Sequence, residues 1–173
     1  MSAGSATSRL FVAVLPPARV LDRLEALERS VGDGARWTTR AQWHVTLHFL
    51  GQADEVASSR ALATVSAEPA TVMLGPTTSM LGAHVHVVTA EGLAALAAVV
   101  GAAMAGIGQP PEDRPFRGHL TLARARRGQR ARFAVQPFDE RFVADEVVLL
   151  RSRTLAEGAR YERVASQRLA ASG

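Results

Sequence analysis

The chain has no cysteine, which removes disulfides, thiolate nucleophiles and cysteine-ligated zinc together. It has no lysine: all 20 basic residues are arginine. Neither G-x-S-x-G nor G-x-x-x-x-G-K-[ST] occurs, which excludes nucleophile-elbow serine hydrolases and P-loop nucleotide binders. No apolar run approaches the ~20 residues of a membrane span, so no membrane partner is expected. The opening MSAGSATSRLFVAVLPP has no basic start, and its apolar run is too short for a secretory signal. These absences agree with a cytoplasmic location. Residues 1–8 read as a disordered, small-residue tail and residues 9–170 as one domain. Nothing demands more than a monomer.

What is present is apolar and cationic. Hydrophobic residues make up 47% of 173, enough for a substantial core, and the net charge is +4. Arg114, Arg117, Arg124, Arg126, Arg127, Arg130 and Arg132 crowd one stretch. Guanidinium forks match phosphate oxygens, so a polyanionic partner fits that cluster.

Periodicity divides the chain into short elements. Residues 10–14 read as a strand, closed by Pro16 and Pro17, which also open a helix over 18–31. Gly32-Asp33-Gly34 ends that helix. A strand over 43–50 leads to Asp54, a cap for a second helix reaching about 65. Strands over 71–74 and 85–89 precede a helix over 93–104, and three prolines make 109–117 a loop. Strands over 119–123, 142–150 and 161–169 complete the list.

Two of these segments carry the same words: HVTLHFLG from His44 and HLTLARAR from His119. A shift of 75 residues superimposes them, and it also lays residues 10–14 on 85–89 and the helix 18–31 on 93–106. Strand, helix and motif strand thus occur twice, which predicts two similar lobes facing one cleft.

Alternate residues of a strand share a face, with i and i+2 roughly 7 Å apart. Val45, Leu47 and Phe49 then form a core face, leaving His44, Thr46 and His48 on the other. In the second motif Leu120 and Leu122 are core, and His119 and Thr121 share the opposite face. Each lobe offers one imidazole and one hydroxyl. That set suits phosphoryl chemistry. A neutral imidazole takes a proton from water and a charged one gives a proton to a leaving alkoxide. The hydroxyls of Thr46 and Thr121 donate to non-bridging phosphoryl oxygens. In-line attack needs base and acid on opposite sides of phosphorus, which facing lobes supply without a metal.

With these motifs the chain resembles the 2H phosphoesterase superfamily, defined by two His-x-Thr/Ser-x motifs. Within it the resemblance is to the RNA 2′,3′-cyclic phosphodiesterases of bacteria and archaea, also called 2′-5′ RNA ligases. RLFVAVLPP resembles the family's opening strand, RPFRGHLTLAR its second motif and LLRSRTLAEGARYERV its closing strands. The resemblance implies an α+β, bilobal, pseudo-twofold fold: two antiparallel sheets flank a central cleft, with helices outside. It implies cofactor-free hydrolysis of RNA or oligonucleotide ends bearing a 2′,3′-cyclic phosphate, leaving a 2′-phosphate. His44 and His119 become the catalytic pair, with Thr46 and Thr121 holding phosphate. The favoured order has His119 activating water and His44 protonating the leaving 3′-oxygen. The family also suggests that Arg124, just after the second motif, touches substrate. Strand parity puts Arg124 on the core face unless the strand bends.

His48, sharing a face with His44, and Phe116, in the loop entering the second motif, are further substrate-binding candidates. Phe116 also reads as packing, Trp43 as core and Tyr161 as structural. Residues 66–83 depart from the family pattern, with few aromatics. Two rivals remain. His84 and His86, an H-x-H pair, could ligate zinc or iron with His44 or His48, although no H-E-x-x-H accompanies them. The arginine cluster could instead serve a noncatalytic RNA-binding module.

Overall fold

The apolar run after residue 6 forms β1 (Thr7–Val14), whose last five residues are all buried. This computed structural model describes residues 7–29, 34–129 and 131–170. Thr7 and Ser8, expected in the tail, are strand residues, and the Ser8 hydroxyl donates to Glu55 at 2.6 Å. Residues 1–6, like Arg130, lie outside the described residues.

Pro17 occupies the N-cap of α1 (Ala18–Glu25), which buries Val20 and Leu24. The helix stops well short of residue 31. The Glu28 amide and carbonyl both bond the side-chain amide of Gln136, at 2.7 and 2.8 Å, and so are withheld from helical pairing. Residues 30–33, where the glycine stop was expected, lie outside the described residues. A short strand, β2 (Ala35–Trp37), follows. Next come a 3-10 turn (Arg40–Gln42) and β3 (Val45–Asp54). Asp54 caps α2 (Glu55–Leu62), accepting from the Ala57 amide at 2.7 Å.

The second half repeats the plan with β4 (Ala70–Leu81), β5 (Val85–Glu91), α3 (Ala94–Ala103) and β6 (His119–Ala125). The strand expected over 142–150 is two strands, β7 (Glu140–Ala144) and β8 (Glu146–Leu155). They part at Asp145, whose carbonyl accepts from Leu169, and they pair at opposite ends of the sheet. A hairpin joins β8 to β9 (Gly158–Arg168).

All pairings are antiparallel, in the order β7-β4-β5-β6-β3-β1-β8-β9, with β2 also beside β6. The two antiparallel halves that the repeat predicts are β7-β4-β5-β6 and β3-β1-β8-β9. They are joined into one curled sheet at a single pair, Val45 with Leu120. Those two residues are 75 apart, so the pseudo-twofold axis passes between them. The outer strands refine the repeat. Ala13 lies opposite Thr46 and Val87 opposite Thr121, so β1 matches β5 with a shift of 74, not 75. In a strand one residue of slip exchanges the two faces.

The three helices cover one face. Val20 and Leu24 of α1, Leu62 of α2 and Leu96 and Val100 of α3 pack with Leu10, Val12, Val45, Leu47, Leu120 and Leu122 in one core. A smaller cluster, Phe11, Ala13, Val148 and Leu150 with Tyr161 against it, lies on the other face. No described helix is long and apolar enough to cross a membrane.

Candidate active site

Both motif strands contain an extra residue just after the His-x-Thr motif. Thr46 opposes Ala13 and His48 opposes Val12, leaving Leu47 in a bulge. Thr121 opposes Val87 and Ala123 opposes His86, leaving Leu122 in the equivalent bulge. Each bulge puts two consecutive residues on the helix face and reverses the parity of those that follow, until in β3 a second extra residue, Leu50, restores it.

The reversal relocates three side chains. His48 shares the helix face with Val12, where a Cβ built on Gly101 of α3 would sit 3.6 Å from its Nδ1. It does not join His44, contrary to the strict alternation of the sequence reading. Phe49, expected in the core, opposes Phe11 on the cleft face, 40% exposed, with the Arg9 guanidinium 4.8 Å from its ring centroid. Arg124 likewise turns from the core face to the cleft, and its charge acts on both His44 and Tyr161.

His44 and His119 come together as expected. The Val45–Leu120 pair sets His44 level with Thr121, and Thr46 level with His119, on the face opposite the helices. Residues so placed have Cβ atoms about 4.5–5.5 Å apart. All four side chains are half-buried. The His44 Nδ1 lies 2.7 Å from the Gln42 carbonyl and the His119 Nδ1 2.9 Å from that of Arg117. A carbonyl only accepts, so each Nδ1 carries hydrogen and each Nε2 is left as the reactive nitrogen.

Around this symmetric frame the walls differ. The His44 ring packs against Phe11 at 4.8 Å and edge-on against Tyr161 at 5.0 Å. Tyr161 is thus part of the site, a role no sequence signal indicated. Burial by these rings lowers the His44 pKa to about 4, against the Gln42 carbonyl, and the charges of His119 and Arg124 add to the lowering. His119 instead borders an open groove of about 440 Å³, lined by Ser79, Val87, Thr89, Phe116 and Arg117 among others. Phe116 both packs on the core and lines this groove. Trp43 is core, and its Nε1 donates to the Thr38 hydroxyl at 2.9 Å.

The histidines of the metal reading do not gather around one point. His86 projects to the helix face opposite Ala123, in contact with Trp37 and Phe133 and on the other side of the sheet from His44. Among the described residues no three His, Cys, Asp or Glu side chains gather to hold a metal ion. His86 occupies the place that Val12 fills in the other half, and neither of its ring nitrogens has a partner. His86→Leu is therefore expected to stabilise the fold by about 1–3 kcal/mol, read from urea unfolding.

Burial also lowers the proton affinity of His48 and His86, so these two and His44 shift alike. Between pH 6.5 and about 4 the unfolded chain then binds more protons than the native one. Stability is full above pH 6.5 and falls with acidification, by about 3 kcal/mol for His44 alone by pH 4. Unfolding free energies across that range check this, and a flat profile would contradict it.

Comparison with known proteins identifies the family and the fold. The family model described as 2′-5′ RNA ligase superfamily matches residues 16–155. No curated protein matches the sequence. The crystal structure of TT0787 of Thermus thermophilus is similar at TM-score 0.77 and 27% identity, covering 92% of this chain and 97% of that one. Escherichia coli LigT complexed with 3′-AMP aligns at TM-score 0.73 and 24% identity, over 95% of this chain and 99% of that one. LigT complexed with phosphate aligns at TM-score 0.72 and 22% identity, over 96% and 99%. The likeness to LigT is one of fold.

Proposed function

The chain belongs to the 2′-5′ RNA ligase superfamily, whose members carry out phosphoesterase or ligase-type chemistry, and from that premise we propose that it hydrolyses RNA ends bearing a 2′,3′-cyclic phosphate to a 2′-phosphate. One observation carries the reading: two imidazoles, each fixed by the carbonyl two residues upstream, stand level with each other's motif threonines across the pseudo-twofold axis. Thr46 and Thr121 donate to the non-bridging oxygens and hold phosphorus between the two Nε2 atoms. Water attacks on one side while the P–O3′ bond breaks on the other.

His44 is neutral at pH 7 because of its pKa of about 4, which fits it to take the proton from water. His119 then gives a proton to O3′. This order reverses the one the sequence favoured. Phe49 and the groove beside His119 offer a nucleobase an aromatic face and a concave wall. That LigT has been crystallised with 3′-AMP and with phosphate supports a cleft that accepts nucleotides and phosphate groups.

The test is incubation with an RNA ending in 2′,3′-cyclic phosphate, in the presence of a chelator. The expected product is the 2′-phosphate alone. A 3′-phosphate, no turnover, or loss of turnover on chelation would overturn the proposal. A substrate with sulfur in place of O3′ leaves without a proton and assigns the roles. It should restore turnover to His119→Ala but not to His44→Ala, and the opposite result would invert the order.

A further inference from the structure

Strand β2 holds a residue that the motifs do not predict. It lies along the end of β6, with Ala35 opposite Ala125, Arg36 opposite Arg124 and Trp37 opposite Ala123. The ladder is closed at both ends, by the Arg126 amide on the Gly34 carbonyl at 2.7 Å and the Thr38 amide on the Leu122 carbonyl at 2.8 Å. Arg36 therefore shares a face with Arg124, the face turned to the cleft by the Leu122 bulge.

Two like charges directly opposite one another weaken a strand pair. Arg40, Arg151 and Arg163 each meet a carboxylate. Among the described residues neither Arg36 nor Arg124 does, and both are exposed. The Arg36 side chain is also supported. Its guanidinium lies over Gly158, where a Cβ would stand 2.7 Å from Nη2, and Gly158 begins β9, the strand of Tyr161.

The pseudo-twofold axis gives this pair its direction. Position 49 in the first motif corresponds to position 124 in the second, so Phe49 and Arg124 lie at opposite ends of the cleft with the histidines between them. One end presents an aromatic ring to a base; the other presents two guanidinium groups. We propose that Arg36 and Arg124 form a second anion site, and that its ligand is an internucleotide phosphodiester of RNA extending beyond the reacting phosphorus. The inference rests on the proposed RNA chemistry of the cleft. The phosphodiester belongs either to the strand that carries the cyclic phosphate or to a second strand whose 5′-oxygen meets the phosphorus. Both present the same group.

Fluorescence anisotropy with the full chain distinguishes them. The probes are an oligonucleotide ending in 2′-phosphate, an oligonucleotide with a free 5′-hydroxyl, and a single nucleotide 2′-phosphate. Arg36→Gln is expected to weaken an oligonucleotide about tenfold and the single nucleotide less than twofold. The slope of log affinity against log salt should fall by about 0.7, the loss of one phosphate contact to a single strand. Arg36→Lys should keep that slope. A loss confined to one oligonucleotide identifies which strand occupies the site. Equal losses for oligonucleotide and single nucleotide, or an unchanged slope for both strands, would overturn the proposal. Turnover is scored separately. Arg36-dependent binding without hydrolysis would refute the proposed reaction and leave the anion site standing.

Discussion

Replacing His44 or His119 by alanine is expected to lower kcat by about 10²–10⁴, the worth of one proton transfer in the transition state, while the fold survives. Both rings are only half-buried, and their hydrogen bonds go to the Gln42 and Arg117 carbonyls at the surface of the cleft. Removing either ring therefore leaves no buried charge behind. The two variants should not respond alike to pH. Wild-type kcat/KM should fall as pH drops through about 4, where His44 takes up a proton before substrate arrives. That acid limb should disappear from the residual activity of His44→Ala and persist in His119→Ala. Threonine variants at 46 and 121 should show smaller losses, because on the proposed mechanism each removes one hydrogen bond to phosphate and no proton transfer. Steady-state kinetics from pH 3.5 to 8 would decide, and equal acid limbs in both histidine variants would refute the assignment.

The second large effect is expected from a methyl group. Gly118 precedes His119, and a Cβ there would stand 2.3 Å from the Ala90 carbonyl oxygen. The two backbones cannot simply part, since the Ala90 amide donates to the Gly118 carbonyl at 2.9 Å. On the remaining side the Phe116 ring is 3.3 Å away. Gly118→Ala must shift the loop that carries Arg117, whose carbonyl orients His119. Overpacking of this kind costs about 1–3 kcal/mol of stability. Displacing a catalytic group by ~1 Å costs about 10² in rate. The signature should be a fall in kcat well beyond the fall in thermal stability. A variant with wild-type kcat would mean that His119 is placed by something other than its neighbouring carbonyl.

Most of this site was legible in the sequence, because it is written twice. The shift of 75 residues joins His44 to His119 and Thr46 to Thr121, and the Val45–Leu120 pair obeys that same shift. The parity after each motif was not legible. A period of two presumes no extra residue, and nothing in HVTL or HLTL marks Leu47 or Leu122 as bulged. One trace was available: Leu50 is apolar where strict alternation requires the cleft face, and it is fully buried while Phe49 is 40% exposed. An apolar residue on the wrong parity is what a bulge leaves in a sequence. Strand β2 left no trace, being three residues long with one arginine at its centre. The shortened α1 depends on Gln136, over a hundred residues away, which no local pattern can announce. The pairing of His44 with Tyr161 depends on the β8–β9 hairpin returning beside β1 and is likewise a tertiary fact.

In the sheet the two halves meet at the Val45–Leu120 pair and where β2 lies along β6, and on the helix side both draw on a common core. Backbone pairing and apolar packing thus tie the halves together behind the cleft. On the proposed function, a phosphoryl group held by Thr46 and Thr121 would add a tie on the cleft face itself. Whatever occupies the cleft then belongs, while it stays, to the joint that holds the two leaves at their working angle.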